Sequence, residues 1–219
     1  MEYLIHKTSK VPLFSWNHFD GAENGVLNNI GGPETDHPPQ TMFRLLHDKR
    51  NIYGIFEVRE IGVLAKQTAF QSMVCMDSCC EFFFQPSGKD GYFNLEMNAG
   101  GTFLMYYIRD PKPDPGSGLP SDYTPLSIRE GNFITVKTDL PHYIPEPVMK
   151  ETLWHLMFTI PLEALEPYCG RIEPLDGQIW RGNFYKCGDG TQWPGWLTWA
   201  DLDSSSFHEP ESFQKLIFA

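Results

Sequence analysis

The chain has 219 residues, 41 % hydrophobic and 14 % aromatic, and a formal net charge of -11. That length and apolar share suffice for one large all-β domain spanning residues 1–219. The negative field disfavours nucleic acid and anionic membranes as partners, and leaves a neutral ligand or a divalent cation unopposed.

The N-terminal MEYLIHKTSKVPLFSW lacks the apolar run of a signal peptide. No stretch approaches the roughly 20 apolar residues of a membrane span. The expectation is a cytoplasmic protein as written, or an extracellular or periplasmic one if a leader has been removed. Residues 1–40 read as irregular and include the Gly/Pro loop GGPETDHPP. TMFRLLHD and NIYGIFEVRE then form a hairpin about DKRN, with Ile52, Phe56 and Val58 on one face and Tyr53, Ile55, Glu57 and Arg59 on the other.

SCCEFFFQ, YFNLEMN and TFLMYYIR follow as strands, separated by turns at PSGKDG and AGG. In the middle one, Phe93, Leu95 and Met97 alternate with Tyr92, Asn94, Glu96 and Asn98. DPKPDPGSGLPSDYTP reads as a long loop, and NFITVKTDL and TLWHLMFTIP as two further strands, with Trp154, Leu156, Phe158 and Ile160 on one face. PLEALEPY is the one helical candidate, with Pro161 at its start. QIWRGNFYKCGD and FQKLIFA supply the last strands. Short strands with one short helix predict an all-β, antiparallel β-sandwich of immunoglobulin or jelly-roll type.

The chemistry-bearing motifs of common enzymes are absent: no Gly-rich phosphate loop, no nucleophile elbow and no HExxH occur. The seven histidines are scattered, as surface or core residues usually are. Five cysteines (Cys75, Cys79, Cys80, Cys169 and Cys187) are an odd number for a disulfide framework. Their ordinary role is as buried free thiols, which favours an intracellular setting. The paired short spacings of a zinc site are missing. Cys79 and Cys80, adjacent in a strand, must face opposite ways.

Glu81 lies mid-strand with Cys79 and Phe83 on its own face and Phe82 and Phe84 opposite. An ionised carboxylate is costly to bury alone, so a partner is implied: ligand hydroxyls, or else an arginine or backbone group. Glu81 and Glu96, on neighbouring strands, are the best candidate pair for glycoside hydrolysis. Trp193, Trp196 and Trp199 fall close together in a Gly/Pro-rich segment. Flat rings there suit stacking on pyranose faces, while the structural alternative has one or two of them capping the sandwich.

DSCCEFFFQP, YFNLEMNAGG, TIPLEAL, WRGNFYKCGDGTQWPGWLTW and FHEPESFQKLIF, in this order, resemble the successive blocks of carbohydrate-binding module family 9 and its single-domain relatives. FRLLHDKRNIYGIFEV resembles the strand pair that opens the family's sandwich, and the similarity runs from about Thr41 to Phe218.

The resemblance implies a non-catalytic β-sandwich that binds plant or microbial polysaccharide fragments of glucan or xylan type, often at a chain end. It also implies a link to carbohydrate catabolism and association with glycoside hydrolases. No cofactor is required, although structural calcium is held by family members and the acidic turns DGAEN, CGDGT and ADLDSS offer oxygen ligands. Carried over, the sugar-reading carboxylate falls on Glu81 and a stacking ring on Trp199. Beyond that carry-over, Trp196 is expected to stack as well, and Asn98, Asn183 and Lys186 are expected to supply hydrogen bonds.

Two positions depart from the family pattern. The other ring belongs about six residues before the carboxylate, where this chain has Val74, Cys75 and Met76. A position that is basic in characterised binders is Glu96. Two alternatives therefore stand beside sugar binding: an interaction or accessory protein that has lost the sugar site, and a glycan-active hydrolase or lyase built on Glu81 and Glu96.

Overall fold

Alternation of large apolar side chains with polar ones, broken at Gly- and Pro-rich turns, produces sixteen strands in the computed structural model, which describes residues 1–32, 35–204 and 206–219. Pro33 and Glu34 of the GGPETDHPP loop and Ser205 of ADLDSS lie outside the described residues. The strands are β1 (Glu2–Lys7), β2 (Gly25–Leu27), β3 (Asn29–Ile30), β4 (Gln40–His47), β5 (Asn51–Glu60), β6 (Val63–Ala65), β7 (Cys79–Gln85) and β8 (Tyr92–Asn98). They continue as β9 (Phe103–Pro113), β10 (Pro120–Pro125), β11 (Thr135–Thr138), β12 (Ile144–Val148), β13 (Thr152–Pro161), β14 (Ile179–Cys187), β15 (Leu197–Thr198) and β16 (Gln214–Phe218).

One layer runs β10-β9-β8-β7-β14-β16 and the other β4-β5-β13-β11, all pairs antiparallel. Strand β1 joins them. Its residues Glu2–Ile5 pair with β16, and His6 and Lys7 pair with β4, both in parallel. The fold is the expected all-β sandwich, with this parallel seam as a departure from an all-antiparallel arrangement.

The N-terminal segment is therefore not irregular throughout. Tyr3 and Ile5 alternate inward and are buried between the layers, a pattern that Leu4 and His6 between them obscured in the sequence. DPKPDPGSGLPSDYTP is likewise a hairpin rather than a loop, with β9 continuing to Pro113 and returning as β10. Proline is tolerated there because β10 is the edge of its layer.

The helix expected at PLEALEPY is α2 (Leu162–Cys169), with Pro161 in the cap position. A second, four-residue helix, α1 (Ile128–Gly131), starts at Ser127, whose hydroxyl accepts from the Arg129 N–H at 3.1 Å and donates to the Glu130 carboxylate. Ser127 is thus a side-chain N-cap, and its own N–H donates to Tyr168 Oη at 2.7 Å. No described helix is long and apolar enough to cross a membrane.

Aromatic rings fill the space between the layers. Phe184 of β14 stacks on Phe82 of β7 with ring centroids 4.6 Å apart and on Phe43 of β4 across the sandwich at 3.5 Å. Phe82 also meets Phe158 of β13 at 5.8 Å. Gly54 makes room for Phe158: a Cβ at that position would sit 2.1 Å from the ring. With this core fixed, alternate residues of β7, β8 and β14 must point outward on the far side of their sheet.

Phe184 is fully buried at the centre of this stack. Phe184→Ala is expected to lower unfolding free energy by about 3–5 kcal/mol, measured by urea titration with an unchanged m-value.

Candidate functional site

The outward face of β7, β8 and β14 is polar at its centre, although it is covered. Register places Glu81 of β7 opposite Glu96 of β8 on one side and Tyr185 of β14 on the other. Cys79 stands opposite Asn98 and Cys187. Asn94 of β8 stands opposite Phe83 and Tyr106.

The segment after β14 folds back over this face and brings Asp189, Trp196, Phe207 and His208 to its edge. Cys75, from the 3₁₀ turn Val74–Met76, and Gly118–Pro120, from the tip of the β9–β10 hairpin, close the other sides. The result is a cavity of about 220 Å³ with Glu81, Glu96 and Asn94 among its lining residues.

Hydrogen bonds fix the lining side chains. The Asn94 amide donates to Glu96 Oε1 at 2.9 Å and its Oδ1 accepts from the Tyr106 N–H at 2.7 Å. The Cys187 thiol donates to Glu81 Oε1 at 2.9 Å. Trp196 Nε1–H donates to Asp189 Oδ1 at 2.6 Å while its ring rests on Phe207 at 4.7 Å. Tyr92 Oη and His208 Nδ1 are 2.8 Å apart. Burial holds His208 down to about 4, so the ring is neutral near pH 7.

Both carboxyls are pushed upward. Burial raises Glu96 to about 7, with the Asn94 hydrogen bond opposing and the Asp189 charge adding to the shift. Burial and then the facing Glu96 raise Glu81 well above the usual carboxylate range. Among the described residues no lysine or arginine lines the cavity. Near neutrality the pair therefore retains a proton, and the floor presents both a carboxylic O–H donor and several oxygen acceptors.

Of the sugar-binding residues expected from the sequence, Glu81 and Trp196 are brought to this cavity, together with Glu96 and Cys75. Four are placed elsewhere. Trp199 is not a platform: it is buried between the layers, its ring edge-on to Tyr3, Phe43 and Phe184 at 6.1, 5.9 and 5.8 Å. Asn98 is fully buried, holding Asp77, the Gln67 carbonyl and the Thr102 N–H. Asn183 clamps the Ala200 backbone through both N–H and C=O.

Lys186 alternates to the inner side, where Nζ lies 2.9 Å from Glu60 and donates to the Cys187 carbonyl. Its burial against a second buried charge, with Trp154 Nε1–H also on Glu60 at 3.0 Å, is structural. Trp193, the remaining tryptophan of the cluster, packs edge-on against His37 at 4.6 Å.

Asn94, Tyr106, Cys187, Asp189 and His208 were not among the candidate site residues. Asn94 shares a face with Glu96 by simple alternation. The others arrive by long-range register and loop closure, which spacing does not encode. In the acidic turns, Asp20 pairs with Arg44 at 3.0 Å and Asp189 is engaged by Trp196. Among the described residues no aspartate of these turns belongs to a group of three His, Cys, Asp or Glu ligand atoms.

A larger groove of about 660 Å³ lies on the other layer, lined by Val26, Ile30, Pro39, Met42 and Leu153. Its charged residues are already engaged, Arg59 by Glu151 and Glu57 by His155, both at 3.0 Å. Asn28, Gln40 and Thr41 are its other polar lining residues.

A family profile described as carbohydrate-binding family 9 matches residues 18–218. Among solved structures, a Bacteroides uniformis protein provisionally assigned as carbohydrate-binding superposes with a TM-score of 0.84 at 27% identity, covering 100% of this chain and 99% of that one. A family 9 module from Caldicellulosiruptor kristjanssonii is similar in fold at 14% identity. In complex with cellotriose its TM-score is 0.62 with 100% and 93% coverage, and in complex with glucose 0.58 with 100% and 96%. No curated protein sequence matches the chain.

Two outcomes follow from the site's electrostatics. Raised carboxyls bind more protons folded than unfolded, so stability is greatest below their ordinary value of 4.5 and falls as pH rises through the folded values. His208 has the opposite sign, its contribution being lost as pH falls from 6.5 toward about 4. Between pH 6.5 and about 8, below the range in which the buried cysteines' unfolded-state thiols ionise, the carboxyls dominate, and Glu96→Gln should flatten the decline in a pH series of denaturant melts. Lys186→Ala, which strands Glu60 in the interior, should cost about 3–5 kcal/mol in the same assay.

Proposed function

The chain belongs to carbohydrate-binding family 9, and on that premise we propose that it binds the end of a short glucan- or xylan-type saccharide in the cavity over Glu81 and Glu96. The observation that carries this reading is the convergence of Glu81, Glu96 and Asn94 on one covered sheet face beside the Trp196 ring. A sugar ring presents the matching chemistry: hydroxyls that donate and accept in its plane, and C–H groups above and below it for an aromatic wall.

The size of the cavity points the same way. At about 220 Å³ it is smaller than the roughly 300–1,000 Å³ pockets of drug-sized ligands. It accommodates one terminal unit, with the rest of the chain extending outside. The glucose and cellotriose complexes of the Caldicellulosiruptor kristjanssonii module support a glucose-type ligand.

Binding without cleavage follows from where the carboxyls project. Glycoside hydrolases place two carboxyls on either side of the scissile bond. Glu81 and Glu96 leave adjacent strands on the same face and lie side by side beneath a ligand. In the cell, such a module serves the capture of polysaccharide fragments for catabolism, alongside glycoside hydrolases.

A second reading, a family member that kept the fold and lost the sugar, is favoured by one residue. Cys75, half-buried on the cavity wall, supplies no aromatic face, and a stacking contact is worth about 0.5–1.5 kcal/mol.

Calorimetry with glucose, cello-oligosaccharides and xylo-oligosaccharides, with and without calcium, separates the two. Sugar binding predicts a saturable heat, with affinity reduced about tenfold or more by Glu81→Ala and about three- to tenfold by Trp196→Ala. Arg59→Ala, in the other groove, should leave affinity unchanged. No heat with any saccharide would establish the second reading.

A further inference from the structure

Three soft or anionic side chains meet at the floor of the cavity. Cys79 and Cys187 are direct cross-strand partners on β7 and β14, and Glu81 is two residues from Cys79 on the same face. The two Sγ atoms and a Glu81 oxygen all lie within 4.8 Å of one another. Exposure is 0 % for Cys79 and 2 % for both Glu81 and Cys187, yet Glu81 and Cys187 border the cavity, so an ion can enter from that side.

Among the described residues, the hydrogen-bond donor to Glu81 is the thiol of Cys187, a weak donor for a buried carboxyl. The nearest cation along the chain, Lys186, points to the other side of the sheet and is held by Glu60.

We infer that Cys79, Glu81 and Cys187 form a binding site for a thiophilic divalent cation of the zinc class, with its fourth coordination position open to the cavity. The donor set fits that ion. Zn–S bonds near 2.3 Å and Zn–O bonds of about 2.0–2.2 Å in a tetrahedron place ligand atoms roughly 3.5–3.8 Å apart, within the spread seen here. Two thiolates neutralise the ion, and Glu81 completes a three-ligand face of the kind found where a fourth position exchanges. The ion replaces the two thiol protons and any proton held on the Glu81 carboxyl, so loading releases protons and strengthens with pH. Sugar binding is not required for any of this.

The test is anaerobic titration of the reduced full-length protein with Co²⁺, followed by displacement with Zn²⁺. The expected result is one equivalent of Co²⁺, with thiolate-to-metal charge-transfer and tetrahedral d–d absorption that Zn²⁺ abolishes. Cys79→Ser and Cys187→Ser should each remove the charge-transfer intensity or cut it sharply. Glu81→Gln should weaken binding about tenfold or more, and Cys169→Ser, remote on α2, should change nothing. A measurement on the unmutated protein needs no folded variant: Zn²⁺ should shift the ¹³Cβ resonances of Cys79 and Cys187 and leave that of Cys169 in place. Absence of charge-transfer absorption, or metal-dependent ¹³Cβ shifts that do not include Cys79 and Cys187, would overturn the site.

Discussion

Two carboxyl groups face each other across neighbouring strands under a lid of loop and aromatic rings, and much of the site's chemistry follows from that constraint. Glu81 and Glu96 cannot both ionise cheaply at such proximity out of water. Burial raises both, and the facing charge adds to Glu81. The protein keeps them on a face that it covers with Asp189, Trp196, Phe207 and His208, and among the described residues it surrounds them with an amide, a thiol and a neutral imidazole rather than with lysine or arginine. A floor of that kind suits neutral, hydroxyl-rich ligands and soft cations.

The sandwich holds this arrangement by an asymmetry between the two faces of one sheet. Phe82, Phe84 and Phe184 point inward and lock β7 and β14 to the opposite layer through ring stacks. Cys79, Glu81, Phe83, Tyr185 and Cys187 are thereby forced outward on the same strands. A one-residue slip would exchange the two sets and bury Glu81 in the aromatic core. The buried Lys186–Glu60 pair lies on the inner side at the end of β14 nearest the site, so its loss would act on stability and only through it on the cavity.

Local alternation made most of the long strands legible, together with the two faces of β7 and β8. It did not reveal β1, whose parallel pairing with both β16 and β4 is a contact between the chain's two ends. Nor did Gly and Pro content distinguish an edge hairpin from a loop between Asp110 and Pro125. At the site, Glu81 and Trp196 were recognisable. Trp199, three residues further on, is core because β15 turns it between the layers against Tyr3 and Phe43. Side-chain direction after a two-residue strand is set by tertiary packing rather than spacing. For the same reason Cys79 and Cys187, more than a hundred positions apart in the chain, gave no metal-like spacing although register makes them neighbours.

Trp196 is the wall of the cavity that can report on its contents directly, since its indole N–H is hydrogen-bonded to Asp189 at the rim. Indole ¹H–¹⁵N resonances followed by NMR during titration with glucose or a cello-oligosaccharide test the central claim residue by residue. Occupation of the cavity predicts a saturable shift of the Trp196 signal, with the signals of the buried Trp154 and Trp180 in place. A Trp196 signal that stays fixed while saccharide binds, or while none binds at all, would contradict it.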